Sequence, residues 1–140
     1  MIVSLDTNVL QALFDHQHMH RQQVGLEIER LQHLEVEFIL CPVVYAECHG
    51  IPDFGRSSFL EFLANMGIQL NVEMPLEVWE RAGEAHVAYH KRRKKEKLLE
   101  PKRVLPDFII GAHALENGAA LLTLDPSGYK GAFPALELLP

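Results

Sequence analysis

The stretch IVSLDTNVLQALF, residues 2–14, decides how the rest of the chain is interpreted. Residues 2–5 form a short, largely apolar run that predicts a buried strand. Thr7 can then cap a helix whose apolar positions follow the helical period. Asp6 stands between the two elements, and a carboxylate beside an apolar strand is costly to desolvate unless other groups compensate its charge. The rest of the chain must supply those groups.

Strands and helices alternate along the whole chain. Helices are predicted at 20–35, 42–50, 55–67, from Pro75 onward and at 106–118, and further strands at 36–41, 68–72, 119–124 and 135–139. This alternation predicts an α/β fold of three layers, α/β/α, with a mostly parallel central sheet of four or five strands. Residues 91–105 are interpreted as a loop, and residues 1–140 as a single domain.

Length and composition set broad limits on function. The 140 residues suit one hydrophobic core, and no apolar run approaches the roughly 20 residues that span a bilayer. The sequence opens without a secretion signal, so we expect a cytoplasmic protein. In that compartment Cys41 and Cys48 are expected to be reduced. The formal net charge of −6 argues against indiscriminate binding of nucleic acid.

One basic segment departs from this acidic balance. KRRKKEK, residues 91–97, holds six of the thirteen Lys and Arg residues. Distant charges are screened beyond about 8 Å at physiological salt, so a local stripe can attract phosphate on an acidic protein. A solvated helix end or loop is the alternative. The candidate RNA contacts are Lys91, Arg92, Arg93, Lys94, Lys95 and Lys97.

Four acidic residues stand at the boundaries of the predicted elements. Asp6 and Asp125 follow the first and fourth strands, and the carboxyl ends of parallel strands share one edge of a sheet. Glu47 lies in the apolar setting VVYAECHG, which favours its burial, and Asp107 lies in the first turn of its helix. Each residue alone has an ordinary explanation as a turn, a helix end or a surface group.

Together the four carboxylates favour a cation site. Two unit charges about 4 Å apart repel by about 4 kcal/mol at an effective dielectric constant of about 20. Clustered carboxylates therefore take up protons or bind cations. An all-oxygen site selects Mg²⁺ or Mn²⁺ over zinc. Such an ion suits hydrolysis of a phosphodiester, because it lowers the pKa of water and stabilises the leaving oxygen.

These residues lie in stretches that resemble the motifs of the PIN-domain family of metal-dependent ribonucleases. Within that family the chain is similar to the VapC-like toxins of prokaryotic toxin–antitoxin pairs. The resemblance spans essentially the whole chain. In motif order, the matching stretches are LDTNVL, VVYAECHG, LPDFIIGAHALENGAALLT and TLDPSGYKGAFPALELL. The third stretch is the most specific, and the resemblance implies a PIN-like fold.

The resemblance also implies the roles of particular residues. The family's acidic quartet, which coordinates one or two Mg²⁺ or Mn²⁺ ions and activates water for RNA cleavage, falls on Asp6, Glu47, Asp107 and Asp125. Thr7, Asn8 and Thr123 match polar positions lining that site, where they support the carboxylates or the scissile phosphate. The family often has arginine between the last-motif threonine and acid, and Leu124 stands there in this chain.

The implied partners are an RNA substrate, a small antitoxin and a second copy of the chain. Family behaviour suggests a homodimer, and an antitoxin segment that blocks the acidic cleft, often with a basic side chain. The basic segment 91–97 would attract the RNA backbone without reading its sequence. The apolar stripe over residues 78–89 is interpreted as core or dimer surface.

Several alternatives remain open. The chain could be a PIN-like module that binds RNA or protein without catalysis, or a nuclease that acts on DNA or on particular nucleic-acid structures. Zinc could bind the histidines of HQHMH, residues 16–20, or the pair His86 and His90, although no further ligand motif accompanies them. Cys48 could be redox-sensitive, but a buried, inert thiol is commoner. A phosphatase built on Asp6 would need a second aspartate where Asn8 stands.

Overall fold

The centre of the fold is a parallel β-sheet. The computed structural model describes residues 1–96 and 102–140. Within them the strands are β1 (Ile2–Leu5), β2 (Glu37–Leu40), β3 (Ile68–Leu70), β4 (Ala120–Leu122) and β5 (Leu138–Leu139). Their order across the sheet is β3-β2-β1-β4-β5, and every neighbouring pair runs parallel. The predicted α/β architecture with a sheet of four or five strands is confirmed.

Helices connect the strands. In the described ranges they are α1 (Thr7–Phe14), α2 (Arg21–His33), α3 (Pro42–Cys48), α4 (Arg56–Asn65), α5 (Leu76–Glu96), α6 (Leu105–Glu116) and α7 (Ser127–Lys130). Parallel crossovers are right-handed, and the chain reverses its direction across the sheet after β3. This reversal places α1–α4 on one face and α5 with α6 on the other. None of these described helices is long and apolar enough to cross a bilayer.

The strand register determines where the site lies. β1 is the central strand, and its Leu5 pairs with Leu122 of β4. The Asp6 N–H donates to the Leu122 carbonyl at 3.0 Å, so the pairing continues to the edge of the sheet. The chain leaves β1 toward β2 but returns to β4 on the opposite side. Ligand sites in open parallel sheets form at such a reversal, beyond the strand carboxyl ends.

The core between the layers is filled by large apolar side chains. Leu5, Leu10 and Phe108 are among the fully buried ones. Gly111 allows α6 to pack closely against Phe133, because a Cβ atom at that glycine would lie 2.4 Å from the Phe133 ring. This packing fixes the position of α6, whose first turn reaches the site.

The structure corrects two predictions about helix boundaries. Asp6, and not Thr7, is the residue that caps α1, and the helix begins at Thr7. α5 continues to Glu96, so residues 91–96 are helical where a loop was predicted. Lys, Arg and Glu are good helix formers, and this propensity outweighs the mutual repulsion of the charges. Lys97 lies outside the described residues.

The predicted apolar stripe on α5 is only partly buried. Val78 and Ala82 belong to the core, whereas the Trp79 side chain is on the surface, with the residue 47% exposed. His86 and Tyr89 are half-buried against Phe108. The core interpretation therefore holds for one side of α5, and the short helix α7 is an element that the sequence analysis did not predict.

Candidate acidic site

Asp6 is the buried centre of the candidate site. Only 5% of the residue is exposed. Its Oδ1 atom accepts a hydrogen bond from the Thr7 N–H at 2.7 Å. Its Oδ2 atom accepts hydrogen bonds from the hydroxyls of Thr123 at 2.7 Å and Tyr129 at 2.9 Å, and a longer one from Asn8 Nδ2 at 3.4 Å. These donors are the groups that compensate the carboxylate beside β1.

Burial nevertheless dominates the charge state of Asp6. Loss of water raises the pKa of this carboxyl group above its usual value. The hydrogen bonds from Thr123, Tyr129 and the Thr7 N–H lower the pKa, and the negative charge of Asp125 raises it. The site thus carries a carboxylate whose charge is incompletely compensated by the protein.

A second set of hydrogen bonds joins the end of β1 to the turn after β4. Asn8 Oδ1 accepts from the Leu124 N–H at 3.1 Å, and Thr123 Oγ1 accepts from the Asp125 N–H at 3.0 Å. Asn8 Nδ2 also lies 3.4 Å from Thr123 Oγ1. The polar residues Asn8 and Thr123, far apart in sequence, therefore meet beside Asp6 and hold the two turns together.

Asp107 and Glu47 lie close to Asp6. Asp107 is in the first turn of α6, and burial raises its pKa. The negative charges of Asp6 and Glu47 raise the pKa of Asp107 further, whereas the positive charge of Arg103 lowers it. These mutual effects place three of the predicted acidic residues in one region.

Glu47 is exposed, which contradicts the prediction that its apolar neighbours would bury it. Val44 and Cys48 occupy the buried side of α3, and Glu47 lies on the side that faces solvent. The Thr7 hydroxyl donates to Glu47 Oε1 at 2.6 Å. The bond connects α3 to the first residue of α1, so Glu47 remains part of the site in spite of its exposure.

Asp125 is engaged by an arginine that the sequence analysis missed. The Arg103 Nη1 atom donates to Asp125 Oδ2 at 2.6 Å, and the Ser127 hydroxyl donates to Asp125 Oδ1 at 2.9 Å. The hydrogen bond from Arg103 holds the pKa of Asp125 below its usual value. A cation thus reaches the acid from the segment before α6, and not from position 124. No sequence signal marked this pairing.

Two tyrosines are further residues of the site that sequence reasoning missed. Tyr129 of α7 is buried, and its hydroxyl donates to Asp6. The Tyr89 hydroxyl accepts hydrogen bonds from the Arg103 N–H at 2.8 Å and from Arg93 Nη1 at 3.3 Å. Tyr89 therefore links the basic end of α5 to the arginine beside Asp125.

The geometry can be compared with known proteins. A sequence model described as the PIN domain matches residues 3–133. The chain belongs to the PIN-domain family. PIN domains are in general nucleases, and they generally use divalent metal ions. No curated protein matches the sequence significantly.

Solved structures show the same fold as this PIN domain. VapBC-1 from nontypeable Haemophilus influenzae aligns with a TM-score of 0.67 and 20% identity over 99% of this chain and 97% of that chain. VapBC2 from Rickettsia felis, in a structure bound to a DNA fragment from their promoter, aligns with a TM-score of 0.61 and 20% identity, over 99% of this chain and 98% of that chain. FitAcB from Neisseria gonorrhoeae aligns with a TM-score of 0.60 and 18% identity, over 100% of this chain and 97% of that chain. At these identities the likeness establishes the fold.

The donor set of the PIN domain fits a hard divalent ion in its chemistry. All four acidic residues offer carboxylate oxygens, the ligands preferred by Mg²⁺ and Mn²⁺. Among the described residues, however, no three His, Cys, Asp or Glu side chains converge as a metal-binding group. Glu47 is directed to Thr7, and Asp125 to Arg103 and Ser127. Metal binding at this edge requires those two side chains to turn.

The other candidate residues have structural surroundings of their own. His86 and His90 face each other with 2.9 Å between their Nε2 atoms, and the His20 N–H donates to His18 Nδ1 at 3.1 Å. Neither set belongs to a described group of three metal-binding side chains, so the zinc hypothesis gains no support. Cys48 is fully buried, and burial raises the pKa of its thiol to about 12, as expected of an inert cysteine.

The basic end of α5 is divided between solvent and the protein. Lys91, Lys94 and Lys95 are exposed, whereas Arg92 and Arg93 are partly buried. Arg93 contacts Tyr89, which in turn contacts the Arg103 N–H. The segment therefore forms a positively charged helical surface that is joined to the acidic site through Tyr89.

Proposed function

We propose that this PIN domain is a Mg²⁺- or Mn²⁺-dependent endoribonuclease that hydrolyses phosphodiester bonds of RNA. The observation that carries the proposal is the acidic cluster at the reversal point of the sheet. There the charges of Asp6 and Glu47 raise the pKa of Asp107, and the charge of Asp125 raises that of Asp6. Carboxylates that repel one another in this way gain free energy when they share a divalent cation.

Each residue has a specific place in the proposed reaction. The proposed metal ligands and catalytic residues are Asp6, Glu47, Asp107 and Asp125. A bound divalent ion supplies a water of lowered pKa and neutralises charge on the phosphate. Thr123 and Tyr129 hold the Asp6 carboxylate in one orientation. The Thr7 hydroxyl holds Glu47 before a metal ion binds. Asn8 fixes the turn before Asp125 through the Leu124 N–H.

The basic surface of α5 is the proposed path of the RNA backbone. Its lysines attract phosphate without reading bases. In a variant with both Lys94 and Lys95 changed to Ala, RNA affinity should fall. The slope of log K against log salt should become shallower by about 1.4, since each lost phosphate contact to a single strand contributes about 0.7. Unchanged binding and slope would remove this surface from the proposal.

We further propose a toxin–antitoxin role for the PIN domain. VapBC-1 and FitAcB share its fold. Together with the resemblance to VapC-like toxins, this likeness makes a small antitoxin the expected partner here. A cytoplasmic location, a homodimer and a single domain over residues 1–140 belong to the same proposal. Co-purification with the product of an adjacent gene for a small DNA-binding protein, and the mass of the complex in solution, would test it.

The nuclease proposal is tested by incubating the protein with RNA and Mn²⁺, with and without a chelator. Asp107→Asn is the informative variant, because it removes one charge of the cluster and nearly preserves side-chain shape. Glu73→Gln, at an exposed position, is the matched control. Cutting that needs Mn²⁺, is lost in Asp107→Asn and persists in Glu73→Gln is expected.

Other outcomes separate the alternatives. Metal-dependent cutting that persists in both Asp6→Asn and Asp107→Asn would contradict the assigned centre. RNA binding without cutting under any divalent ion would favour a non-catalytic module. Cutting of DNA in place of RNA would favour a DNA-directed nuclease on the same fold.

A further inference from the structure

Arg103 holds a positive charge in a defined position at the rim of the acidic site. Its backbone N–H donates to the Tyr89 hydroxyl at 2.8 Å, which fixes the chain before α6. Its guanidinium packs directly over Gly128, where a Cβ atom would lie 2.5 Å from the Cζ atom. Both ends of the residue are therefore positioned by the fold, and the glycine leaves the space that the guanidinium fills.

The guanidinium has more donors than its present partners use. Arginine offers five N–H donors in a planar fork. Among the described residues its side chain contacts Asp125 at 2.6 Å and Ser127 at 3.4 Å. The side chains of Arg103 and Asp125 are 29% and 48% exposed, so the pair opens to solvent. A phosphate group presents the same two-oxygen face as a carboxylate and can bind the same fork.

An RNA phosphate that approaches this site meets several negative charges. Asp6, Glu47 and Asp107 repel it, and a cation at the rim offsets part of that repulsion. Arg103 is a cation at this rim, and its charge already acts on Asp107. Its pairing with Asp125 occupies the Oδ2 atom of one predicted metal ligand.

We propose that Arg103 is the phosphate-binding residue of this site. Its guanidinium pairs with Asp125 when RNA is absent, and it contacts an RNA phosphate when Asp125 turns to bind a divalent ion. The inference rests on the proposed nuclease function and adds to it the residue that recognises the substrate phosphate. The Asp125 carboxylate would serve either Arg103 or a divalent ion, so the two would compete for one carboxylate.

This competition separates the proposal from a merely structural role. Loss of the Arg103 charge frees Asp125, so Mn²⁺ affinity measured without RNA is unchanged or higher, whereas RNA is held less tightly. If Arg103 only kept Asp125 in place, its loss would weaken Mn²⁺ binding and leave the contact with RNA unaffected.

The test uses Arg103→Gln and Arg103→Lys, with Arg81→Gln as the control that removes an equal charge. Arg81 pairs with Glu116, at the opposite end of α6 from Asp107. The Mn²⁺ dissociation constant is measured by calorimetry without RNA, and KM and kcat are measured for RNA cleavage in Mn²⁺. Arg103→Gln should raise KM about tenfold to hundredfold, the usual worth of a charge-assisted contact, with Mn²⁺ binding no weaker.

Arg103→Lys should recover part of the loss in KM, and Arg81→Gln should match the wild type. An unchanged KM in Arg103→Gln, or Mn²⁺ binding weakened as much as KM, would overturn the proposal. If Arg103→Gln does not fold, Arg103→Lys carries the test, because lysine cannot form the two-pronged contact and its KM must still exceed the wild-type value. A wild-type protein that neither binds Mn²⁺ nor cuts RNA would refute the nuclease function as well.

Discussion

Replacement of Tyr129 by phenylalanine tests how the fold tolerates a buried carboxylate. The change removes one hydroxyl, the donor to Asp6 Oδ2 at 2.9 Å, and leaves the aromatic ring in place. Tyr129 is 2% exposed and Asp6 5% exposed, so water does not readily replace the lost donor. Asp6 would keep its hydrogen bonds from Thr123 and the Thr7 N–H.

The magnitude follows from this geometry. A hydrogen bond to a charged group contributes about 1.5–3 kcal/mol, and the donors that remain on Asp6 favour the lower part of that range. Tyr129→Phe should therefore reduce the free energy of unfolding by about 1.5–2 kcal/mol at neutral pH. Tyr45→Phe is the matched control. The Tyr45 hydroxyl has no hydrogen-bond partner among the described residues, so its loss should change stability by less than about 0.5 kcal/mol.

The pH dependence gives this prediction a second readout. The hydroxyl stabilises the ionised carboxylate, so its removal raises the pKa of Asp6 further. The penalty is full at pH values above the folded-state pKa of Asp6. It shrinks as the pH falls through that pKa, because Asp6 is then protonated in both proteins. Urea unfolding of wild type and variant across the acid range measures the difference.

Two results would refute this reasoning about Tyr129. The first is a Tyr129→Phe variant no less stable than Tyr45→Phe at neutral pH. The second is a penalty that stays constant while the pH falls through the titration of Asp6. Either result would mean that the hydroxyl does not stabilise the charge of the buried carboxylate.

Three further predictions concern packing and buried groups. Gly111→Ala should destabilise the fold by about 1–3 kcal/mol, because the added methyl group overlaps the packed Phe133 ring. Gly25→Ala, which has open space around it in α2, should stabilise the fold by up to about 1 kcal/mol. Urea unfolding that ranks the two variants the other way would contradict the packing. Burial lowers the pKa of His113, so the unfolded chain binds a proton at this residue more readily than the folded protein does. The free energy of unfolding should therefore fall as the pH drops below about 6.5. A His113→Gln variant whose free energy of unfolding depends on pH in the same way would refute this. Cys41 and Cys48 are fully buried, and burial raises the pKa values of their thiols to about 11 and about 12. We expect them to react with iodoacetamide only when the protein unfolds. Labelling of either cysteine in the native protein, detected by mass spectrometry, would contradict this prediction.

The arrangement of the sheet was predictable because local signals agree. Residues 2–5, 36–41 and 119–124 are short apolar runs followed by helix signals, and such runs form buried parallel strands. Once the strands are parallel, the acids after β1 and β4 must share an edge. The location of Asp6 and Asp125 therefore follows from topology alone.

The contacts within the site were harder to predict because they depend on distant partners. Arg103 and Asp125 are 22 residues apart, and Tyr129 and Asp6 are 123 residues apart. No periodicity links such pairs. The exposure of Glu47 was also missed, because Val44 and Cys48 occupy the buried side of α3 and Glu47 lies on the side that faces solvent. The helical run to Glu96 was missed because a dense basic segment was interpreted as a loop.

The most direct test of the account is the binding of Mn²⁺ to the protein in the absence of RNA, measured by calorimetry. The wild type should give a saturable isotherm. The variants Asp6→Asn, Glu47→Gln, Asp107→Asn and Asp125→Asn should each bind more weakly, and Glu73→Gln should bind like the wild type. Mn²⁺ binding that is absent from the wild type, or equal in all five variants, would contradict the claim that these carboxylates form one cation site.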